Sequence, residues 1–213
     1  RLKNWTSDAT ALFTTLGDGG VVKNLTIDES CVLTPATTGN FGFMAEIANK
    51  YSVIVNCENN ADITLNAATA ERFRIASLVG VSYGSVKNCT NNGDITINIS
   101  GDVVDKCYLG GVVGYVNISD QFKGKGEGYD IALDNCVNSG NITYTVDGIV
   151  GYLNMGGVTA GTSHEPIASA YFKGKAKNCV NTGSVSYTFK NGGSLADNAG
   201  SAGSNNYHNI GGV

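Results

Sequence analysis

Residues 88–96 read Asn-Cys-Thr-Asn-Asn-Gly-Asp-Ile-Thr, and close copies of this segment recur at residues 56–64, 135–143 and 178–186. A shorter copy, Lys-Asn-Leu-Thr-Ile, occupies residues 23–27. Counted from the shared asparagine, the copies are 32, 32, 47 and 43 residues apart. Self-similarity at intervals of tens of residues is typical of stacked structural repeats. A constant segment with variable spacing therefore predicts a regular coil into which loops are inserted.

A second element, an apolar run that usually contains glycine, alternates with the first. It recurs at residues 12–16, 43–47, 78–82, 112–116 and 149–153, and the chain stops at Ile210-Gly211-Gly212-Val213, within a further copy. One unit is therefore an apolar run, a short turn, a run ending in Asn-Cys, an Asn/Gly turn and an Ile-Thr run. We align residues 149–153 with residues 112–116 because both carry a Gly-Tyr pair.

The Ile-Thr runs alternate in polarity, as in Ile63 and Leu65 against Thr64 and Asn66. Alternation with a period of two indicates a strand with one buried face. The same strand recurs in the same direction, so each copy is expected to pair with the next in parallel. These features predict an all-β protein, a right-handed parallel β-helix of about five coils with three short strands each. The longest helix-like pattern, residues 67–74, is expected to form a turn or two at a corner.

Composition excludes several classes of function. Only 15% of residues are charged, against roughly a quarter in ordinary globular proteins, and the chain has 29 Gly and 2 Pro. The net charge of −4 argues against nucleic-acid binding, which needs a basic stripe. A membrane-spanning helix requires about 18 consecutive apolar residues, and no apolar run in the sequence approaches that length. Because the chain ends within a repeat, we expect residues 1–213 to be a single β-helix domain from a longer protein with further domains.

Four cysteines occupy the same repeat position and are expected to form an inward-facing ladder of reduced, buried thiols. They are Cys57, Cys89, Cys136 and Cys179. The alternatives are disulfides or a metal site, but the chain has no Cys-x-x-Cys spacing and no clustered histidines. We therefore expect no metal and no cofactor. The roles of Cys31 and Cys107, which lie outside the ladder, stay open.

Two columns of asparagines follow from the same repeat. The first contains Asn59, Asn91, Asn138 and Asn181, and the second contains Asn24, Asn56, Asn88, Asn135 and Asn178. Stacked amides can hydrogen-bond along a column and to the turn backbone, which predicts structural roles for them. The glycines at the following corner, Gly93, Gly140 and Gly183, are expected to adopt positive φ.

Two Gly-Tyr elements, Gly111-Val112-Val113-Gly114-Tyr115 and Gly148-Ile149-Val150-Gly151-Tyr152, are each followed by an Asn-Cys-x-Asn-x-Gly type of segment. This combination resembles the GLUG repeat family over nearly the whole chain. Such repeats occur in large secreted and cell-surface bacterial proteins, including Bacteroidetes surface proteins and immunoglobulin-A-cleaving metallopeptidases. The resemblance implies an extracellular or cell-surface location. It does not imply protease activity, because those repeats lie outside the zinc domain and His-Glu-x-x-His is absent here.

Two long insertions, at residues 117–131 and 154–175, follow the Gly-Tyr runs and are expected to project side by side. Insertions in a solenoid often carry recognition. Lysines beside aromatic rings could bind an acidic glycan or another anionic surface. The predicted ligand-binding residues are Phe122, Lys123, Lys125, Tyr129, Tyr171, Phe172, Lys173 and Lys175. The alternative interpretation is a flap with merely solvated lysines.

Other surfaces are weaker candidates for function. The outward threonines of the Ile-Thr strands, such as Thr64 and Thr96, could order water, although an ordinary solvated strand face explains them as well. An enzyme would need convergent acids, and the chain offers Asp62 and Asp94 in one turn column and the pair His164-Glu165. We therefore expect a non-catalytic surface or secreted module for adhesion, display or binding of a glycan or surface protein. The alternative is a polysaccharide lyase or glycoside hydrolase of β-helix type.

Overall fold

The computed structural model describes residues 1–34, 39–117, 131–161, 175–195 and 209–211. Within these ranges the chain forms strands joined by turns and bends and contains no helix. The strands pair in parallel with their copies one repeat away, for example Ile63–Ala67 with Ile95–Ile99. The architecture is that of a right-handed parallel β-helix, as the repeat predicts.

Each complete coil contributes one strand to each of five sheets, numbered here in the order in which a coil visits them. Sheet 1 contains Asn40–Phe41, Phe73–Ala76, Val103–Gly110 and Ile149–Gly156, the last of which pairs with both Ser194–Leu195 and Asn209–Gly211. Sheet 2 contains Phe13–Leu16, Ala45–Ala48, Val79–Ser82 and Val113–Val116. Sheet 3 contains Val21–Lys23, Val53–Val55, Ser85–Lys87, Ile131–Asp134 and Lys175–Lys177. Sheet 4 contains Thr26–Ile27, Glu58–Asn59, Thr90–Asn91, Val137–Asn138 and Val180–Asn181. Sheet 5 contains Thr6–Ser7, Val32–Leu33, Ile63–Ala67, Ile95–Ile99, Ile142–Val146 and Val185–Phe189.

The three strands predicted for each repeat are confirmed. In one coil they are Val79–Ser82, Ser85–Lys87 and Ile95–Ile99. The coil also contains Phe73–Ala76 and the two-residue strand Thr90–Asn91.

The helical turn expected at residues 67–74 is wrong. Ala67 ends a strand of sheet 5, and Phe73 begins a strand of sheet 1. Phe73 and Ile75 are buried and alternate with Arg74, so this segment has the period of a strand.

The Ile-Thr strands stack in register and line the core. Leu65 pairs with Ile97, and Ile97 pairs with Tyr144. All three side chains are almost completely buried. Because side chains alternate along a strand, the threonines between them face outward. The predicted polarity of these strands is therefore confirmed.

The cysteine ladder lies inside the coil, and all six cysteines are free. Cys57, Cys89 and Cys136 are buried, each with its Sγ near main-chain carbonyl oxygens, for example 3.1 Å from Cys89 Sγ to Lys87 O. The hydrogen bond shared with the Cys57 thiol, together with burial, raises the pKa of Cys89. Cys179 departs from the prediction because it is only partly buried in the last of the five stacked repeats. Cys31 and Cys107, whose roles the sequence left open, are also buried.

The first asparagine column is a continuous buried hydrogen-bond ladder. Asn59 Nδ2 donates to Asn91 Oδ1 at 2.9 Å, and Asn91 Nδ2 donates to Asn138 Oδ1 at 2.7 Å. Asn138 continues the ladder to Asn181 at 2.7 Å. Each amide also donates to the carbonyl oxygen two residues later, as Asn91 does to Gly93 at 2.8 Å. The ladder thus satisfies both the buried side chains and the turn backbone.

The second asparagine column lies on the surface and makes the turn. Asn24, Asn56, Asn88, Asn135 and Asn178 have φ between 52° and 56°. Asparagine tolerates this left-handed conformation better than most residues, which explains why it recurs at this turn position in each repeat. Side chains in this column bond along the stack, for example Asn135 Nδ2 to Asn88 Oδ1 at 3.0 Å.

The positive φ predicted for Gly93, Gly140 and Gly183 is wrong, because none of the three adopts it. Glycine is needed there for space. A Cβ on Gly140 would lie 1.9 Å from the carbonyl oxygen of Gly93, and one on Gly183 would lie 2.0 Å from that of Gly140. The corners at Gly93, Gly140 and Gly183 therefore exclude a side chain, whereas the copy at residues 56–64 has Ala61 there. The left-handed residue of the repeat is the asparagine of the second column.

The alignment of residues 149–153 with residues 112–116 is also wrong. Ile149–Gly156 lies in sheet 1, whereas Val113–Val116 lies in sheet 2 and bridges to Thr159. Gly156-Gly157-Val158 is the true counterpart of Gly110-Gly111-Val112, because Gly110 pairs with Gly156. The first described residues of the second predicted insertion, 154–161, accordingly continue the coil.

Candidate functional site

The eight ligand-binding residues predicted from the insertions fall outside the described residues, apart from the main chain of Lys175. They are Phe122, Lys123, Lys125, Tyr129, Tyr171, Phe172, Lys173 and Lys175. The residues that flank the insertions are adjacent. Val116 N donates to Gly161 O at 3.0 Å, and Ile131 pairs with Lys175. The two segments thus leave and rejoin the coil at neighbouring positions.

A cluster of aromatic and cationic side chains lies on the outer face of sheet 1. Arg74 pairs with Tyr108, and Tyr108 pairs with Asn154 in the next coil. Cys107 and Leu109 flank Tyr108 and belong to the core. Because side chains alternate across a strand, Arg74, Tyr108 and Asn154 form an outward column.

A neighbouring outward column adds a second cation and a second ring. Lys106 pairs with Tyr152, and Lys106 Nζ lies 5.7 Å from the centre of the Tyr152 ring. Arg72 lies at the edge of this column and forms an ion pair with Asp105. Arg72 and Lys106 are exposed, whereas Tyr152 is partly exposed.

Sheet 2 supplies the third ring. The Tyr115 ring lies 4.8 Å from the Tyr108 ring, measured between centroids, in an edge-to-face arrangement. The preceding residue has to be glycine, since a Cβ on Gly114 would lie 2.9 Å from the main-chain nitrogen of Ile75. This close approach of sheet 2 to sheet 1 places Tyr115 against Tyr108. We refer to Arg72, Arg74, Lys106, Tyr108, Tyr115 and Tyr152 as the tyrosine–arginine surface.

Arg74 lies at the centre of this surface. Its guanidinium carbon is 5.0 Å from the centre of the Tyr115 ring and 5.8 Å from that of Tyr108. Its Nη1 donates to Asn40 Oδ1 at 3.2 Å. Its Nε is buried without a hydrogen-bond partner among the residues that the structure describes. Cation–π contacts of this kind hold the guanidinium in place and leave donor capacity unused.

The charges of this surface are only partly neutralised. Within the described part of the chain the ion pairs are Arg1–Asp28 and Arg72–Asp105, so no described carboxylate pairs with Arg74 or Lys106. Burial raises the pKa of Tyr108, and its phenol therefore stays protonated at neutral pH. The surface consequently offers positive charge, ring faces and neutral polar groups together.

Sequence reasoning missed this surface because Tyr115 and Tyr152 were placed in equivalent strands. The available signal was the distance from each cysteine. Val112 follows Cys89 by 23 residues and Val158 follows Cys136 by 22, whereas Ile149 follows Cys136 by only 13. This spacing assigns Tyr152 to the strand equivalent to the one that carries Lys106, in the next coil.

The carboxylates considered for catalysis have structural roles. Asp62 Oδ1 accepts from the main-chain nitrogen of Asp94 at 2.8 Å, and Asp94 Oδ1 accepts from that of Asn141 at 2.7 Å. They form a turn column, as the sequence predicts. His164-Glu165 lies outside the described residues.

No cluster of metal-ligating side chains occurs among the described residues. None of the described segments forms a helix that could cross a membrane.

The outward polar face of sheet 5 is regular. Thr64, Thr96, Thr143 and Ser186 are in register, and so are Asn66, Asn98, Thr145 and Thr188. Asn98 Nδ2 donates to Asn66 Oδ1 at 2.9 Å. These side chains bond to one another along the stack, which is how a solvated strand face behaves.

The fold places the chain among parallel β-helix repeat proteins. No family model, no curated protein and no solved structure matches the chain.

Proposed function

We propose that this chain is a non-catalytic β-helix module of a bacterial cell-surface or secreted protein of GLUG-repeat type, which serves adhesion, display or ligand binding. The observation that carries the proposal is the tyrosine–arginine surface. One of its residues, Tyr115, lies in the strand Val113–Val116, and the first insertion follows that strand after Asn117. Charged, aromatic and polar groups on a regular scaffold suit recognition.

Repeat architecture supports the same proposal. The hydrogen-bonded asparagine ladder and the in-register sheets hold surface side chains at fixed positions, so that little order has to be gained on binding. The candidate partners are a glycan or a surface protein, and the insertions with Lys123, Lys125, Lys173 and Lys175 are part of the proposed site.

Two assays together test this function. A glycan array identifies binding, and assays for reducing sugars and unsaturated products detect turnover of the polysaccharides that bind. We expect binding without turnover. Turnover of any polysaccharide would show a carbohydrate-active enzyme instead.

A quadruple variant tests the insertions. Replacing Lys123, Lys125, Lys173 and Lys175 by alanine should weaken binding. The matched control replaces four exposed lysines elsewhere, namely Lys3, Lys23, Lys87 and Lys190. Binding that survives the first set of changes would remove the insertions from the site.

A further inference from the structure

We propose that the tyrosine–arginine surface binds an acidic polysaccharide that runs along the axis of the column. This proposal rests on the function proposed above, since it identifies the ligand class and the groups that hold it.

The arrangement of the side chains favours a linear, repeating ligand. Lys106 pairs with Tyr152 in the next coil, Arg72 lies at the edge of the same outward column, and all three side chains are at least partly exposed. Strands in a sheet lie about 4.8 Å apart. This distance is close to the length of one sugar residue in an extended chain, so successive coils present charged and aromatic groups to successive sugars.

The rings suit sugars. Tyr115 and Tyr152 are partly exposed, and both pack against the buried Tyr108, with centroid distances of 4.8 Å and 5.8 Å. Packing fixes the rings before binding, which limits the loss of side-chain entropy. A tyrosine offers an apolar ring face to the C–H groups of a sugar and keeps a polar end for its hydroxyls. Asn154 Nδ2 donates to Tyr152 Oη at 3.0 Å and orients that polar end.

The charges favour an acidic sugar. The whole chain has a net charge of −4, yet Arg72, Arg74 and Lys106 lie together on this surface. Asp105 neutralises Arg72, and no described carboxylate pairs with Arg74 or Lys106. Glu71, which precedes Arg72, is exposed, and no ion pair joins it to Arg74 or Lys106. Guanidinium and ammonium groups beside aromatic rings provide charge-assisted hydrogen bonds to a carboxylate or sulfate.

Nucleic acid fits this surface less well, because its phosphates would require a longer basic stripe than three cations provide. A protein partner would require a larger apolar centre than three partly covered rings. Both are outcomes of the test below.

The test compares an oligogalacturonate with its methyl ester, which has the same backbone without the charges, by isothermal titration calorimetry on the 213-residue chain. We expect the acidic form to bind, the ester to bind about tenfold more weakly, and affinity to fall as salt is raised. Equal binding of the two forms would overturn the assignment of an acidic ligand. If a sulfated glycan bound in place of the oligogalacturonate, the acidic-polysaccharide assignment would stand with sulfate as the recognised group, whereas binding of a nucleic acid or a protein instead would overturn it.

Point variants test whether the ligand binds at the tyrosine–arginine surface. Lys106→Gln should weaken binding by about threefold to tenfold, and Tyr152→Leu by about tenfold, because each removes one charge or one ring. Tyr152→Phe retains the ring and should retain most of the affinity. Lys87→Gln, which removes an exposed lysine from sheet 3, is the matched control and should have no effect. Far-ultraviolet circular dichroism checks that each variant is folded.

The outcomes separate this proposal from the broader one. If Tyr152→Leu and Lys106→Gln bind like the parent while the quadruple insertion variant does not, the surface is wrong and the binding module stands. If the oligogalacturonate is cleaved, the non-catalytic function is wrong and the surface is still tested by the same variants. If no glycan binds, the polysaccharide proposal fails, and the broader function is left with a surface protein as its partner.

Discussion

Asn91 Nδ2 donates to Asn138 Oδ1 at 2.7 Å, although 47 residues separate the two in the sequence. The same amide donates to the Gly93 carbonyl at 2.8 Å, and Asn91 Oδ1 accepts from Asn59 at 2.9 Å. The insertion at residues 118–130 lies between the two asparagines and leaves this contact unchanged. One buried amide thus joins three coils and satisfies a turn.

Removing one amide from the ladder should be costly. Asn91→Ala leaves Gly93 O and Asn138 Oδ1 without their donor in a buried environment, and we expect a loss of about 3 kcal/mol in the free energy of unfolding. The matched control is Asn92→Ala, whose exposed side chain bonds to Asn60 and Glu58, and it should change stability by less than about 0.5 kcal/mol. Urea denaturation measures both, and equal effects would show that the ladder is not a main source of stability.

The stacked corners should not accept a side chain. Gly140→Ala would place a Cβ 1.9 Å from the carbonyl oxygen of Gly93, so we expect a loss of about 3 kcal/mol through a shift of the backbone. A Cβ at Gly17 would meet no atom within 4 Å, and Gly17→Ala serves as the control. Thermal denaturation compares the two. If Gly140→Ala were as stable as the parent, close stacking at this corner would be wrong.

Thiol reactivity should distinguish the last ladder position from the rest. Five cysteines are buried and Cys179 is partly exposed, so a thiol reagent should modify one residue quickly in the folded protein and six after denaturation. A hydrogen bond from the Cys136 thiol lowers the pKa of Cys179 to about 6, which favours the reactive thiolate. In Cys179→Ser the rapid reaction should disappear. Fewer than six thiols after denaturation would mean that disulfides are present.

Stability should decrease in alkaline solution. Burial raises the pKa of Cys107 and Tyr144 above their ordinary values of 9.0 and 10.0. A raised pKa in the folded state means that the unfolded chain loses these protons first. Their contribution is therefore complete below about pH 9, and unfolding becomes easier as the pH rises further, by about 1.4 kcal/mol per pH unit for each group.

Two other thiols titrate in the opposite sense but do not mask this effect. Hydrogen bonds from neighbouring thiols lower the pKa of Cys57 to about 7 and that of Cys179 to about 6. The contribution of these two thiols to the stability of the fold rises with pH and is complete above about pH 9, near the ordinary pKa of 9.0 that a cysteine has in the unfolded chain. Urea denaturation between pH 7 and 11 measures the slope, and Cys107→Ala should reduce it above pH 9 even though the cavity lowers stability at every pH. A flat profile would contradict the burial of these groups.

Much of the fold could be predicted because its residues act through neighbours one repeat away. Ile95 and Thr96 have copies that occupy the same strand position in the adjacent coils, so a one-dimensional pattern determines a three-dimensional contact. The buried cysteines and the asparagine ladder follow for the same reason. The role of Gly140 could not be predicted in this way, because its clash with Gly93 depends on how closely two corners stack.

The sequence by itself determined the repeat, the inward and outward faces of the strands and the identity of the stacked residues, because these depend on periodicity along the chain. The spacing from each cysteine also carries the strand position of Tyr152 beside Lys106, although the Gly-Tyr pattern hides it. Only the tertiary structure decided that Tyr115, from another sheet, packs on Tyr108. Both tyrosines follow a glycine in similar apolar runs, and local sequence cannot tell which sheet a run joins. The sheet that a run joins depends on the number of residues in the preceding coil and on packing between sheets 1 and 2. This packing brings together residues that share no sequence pattern.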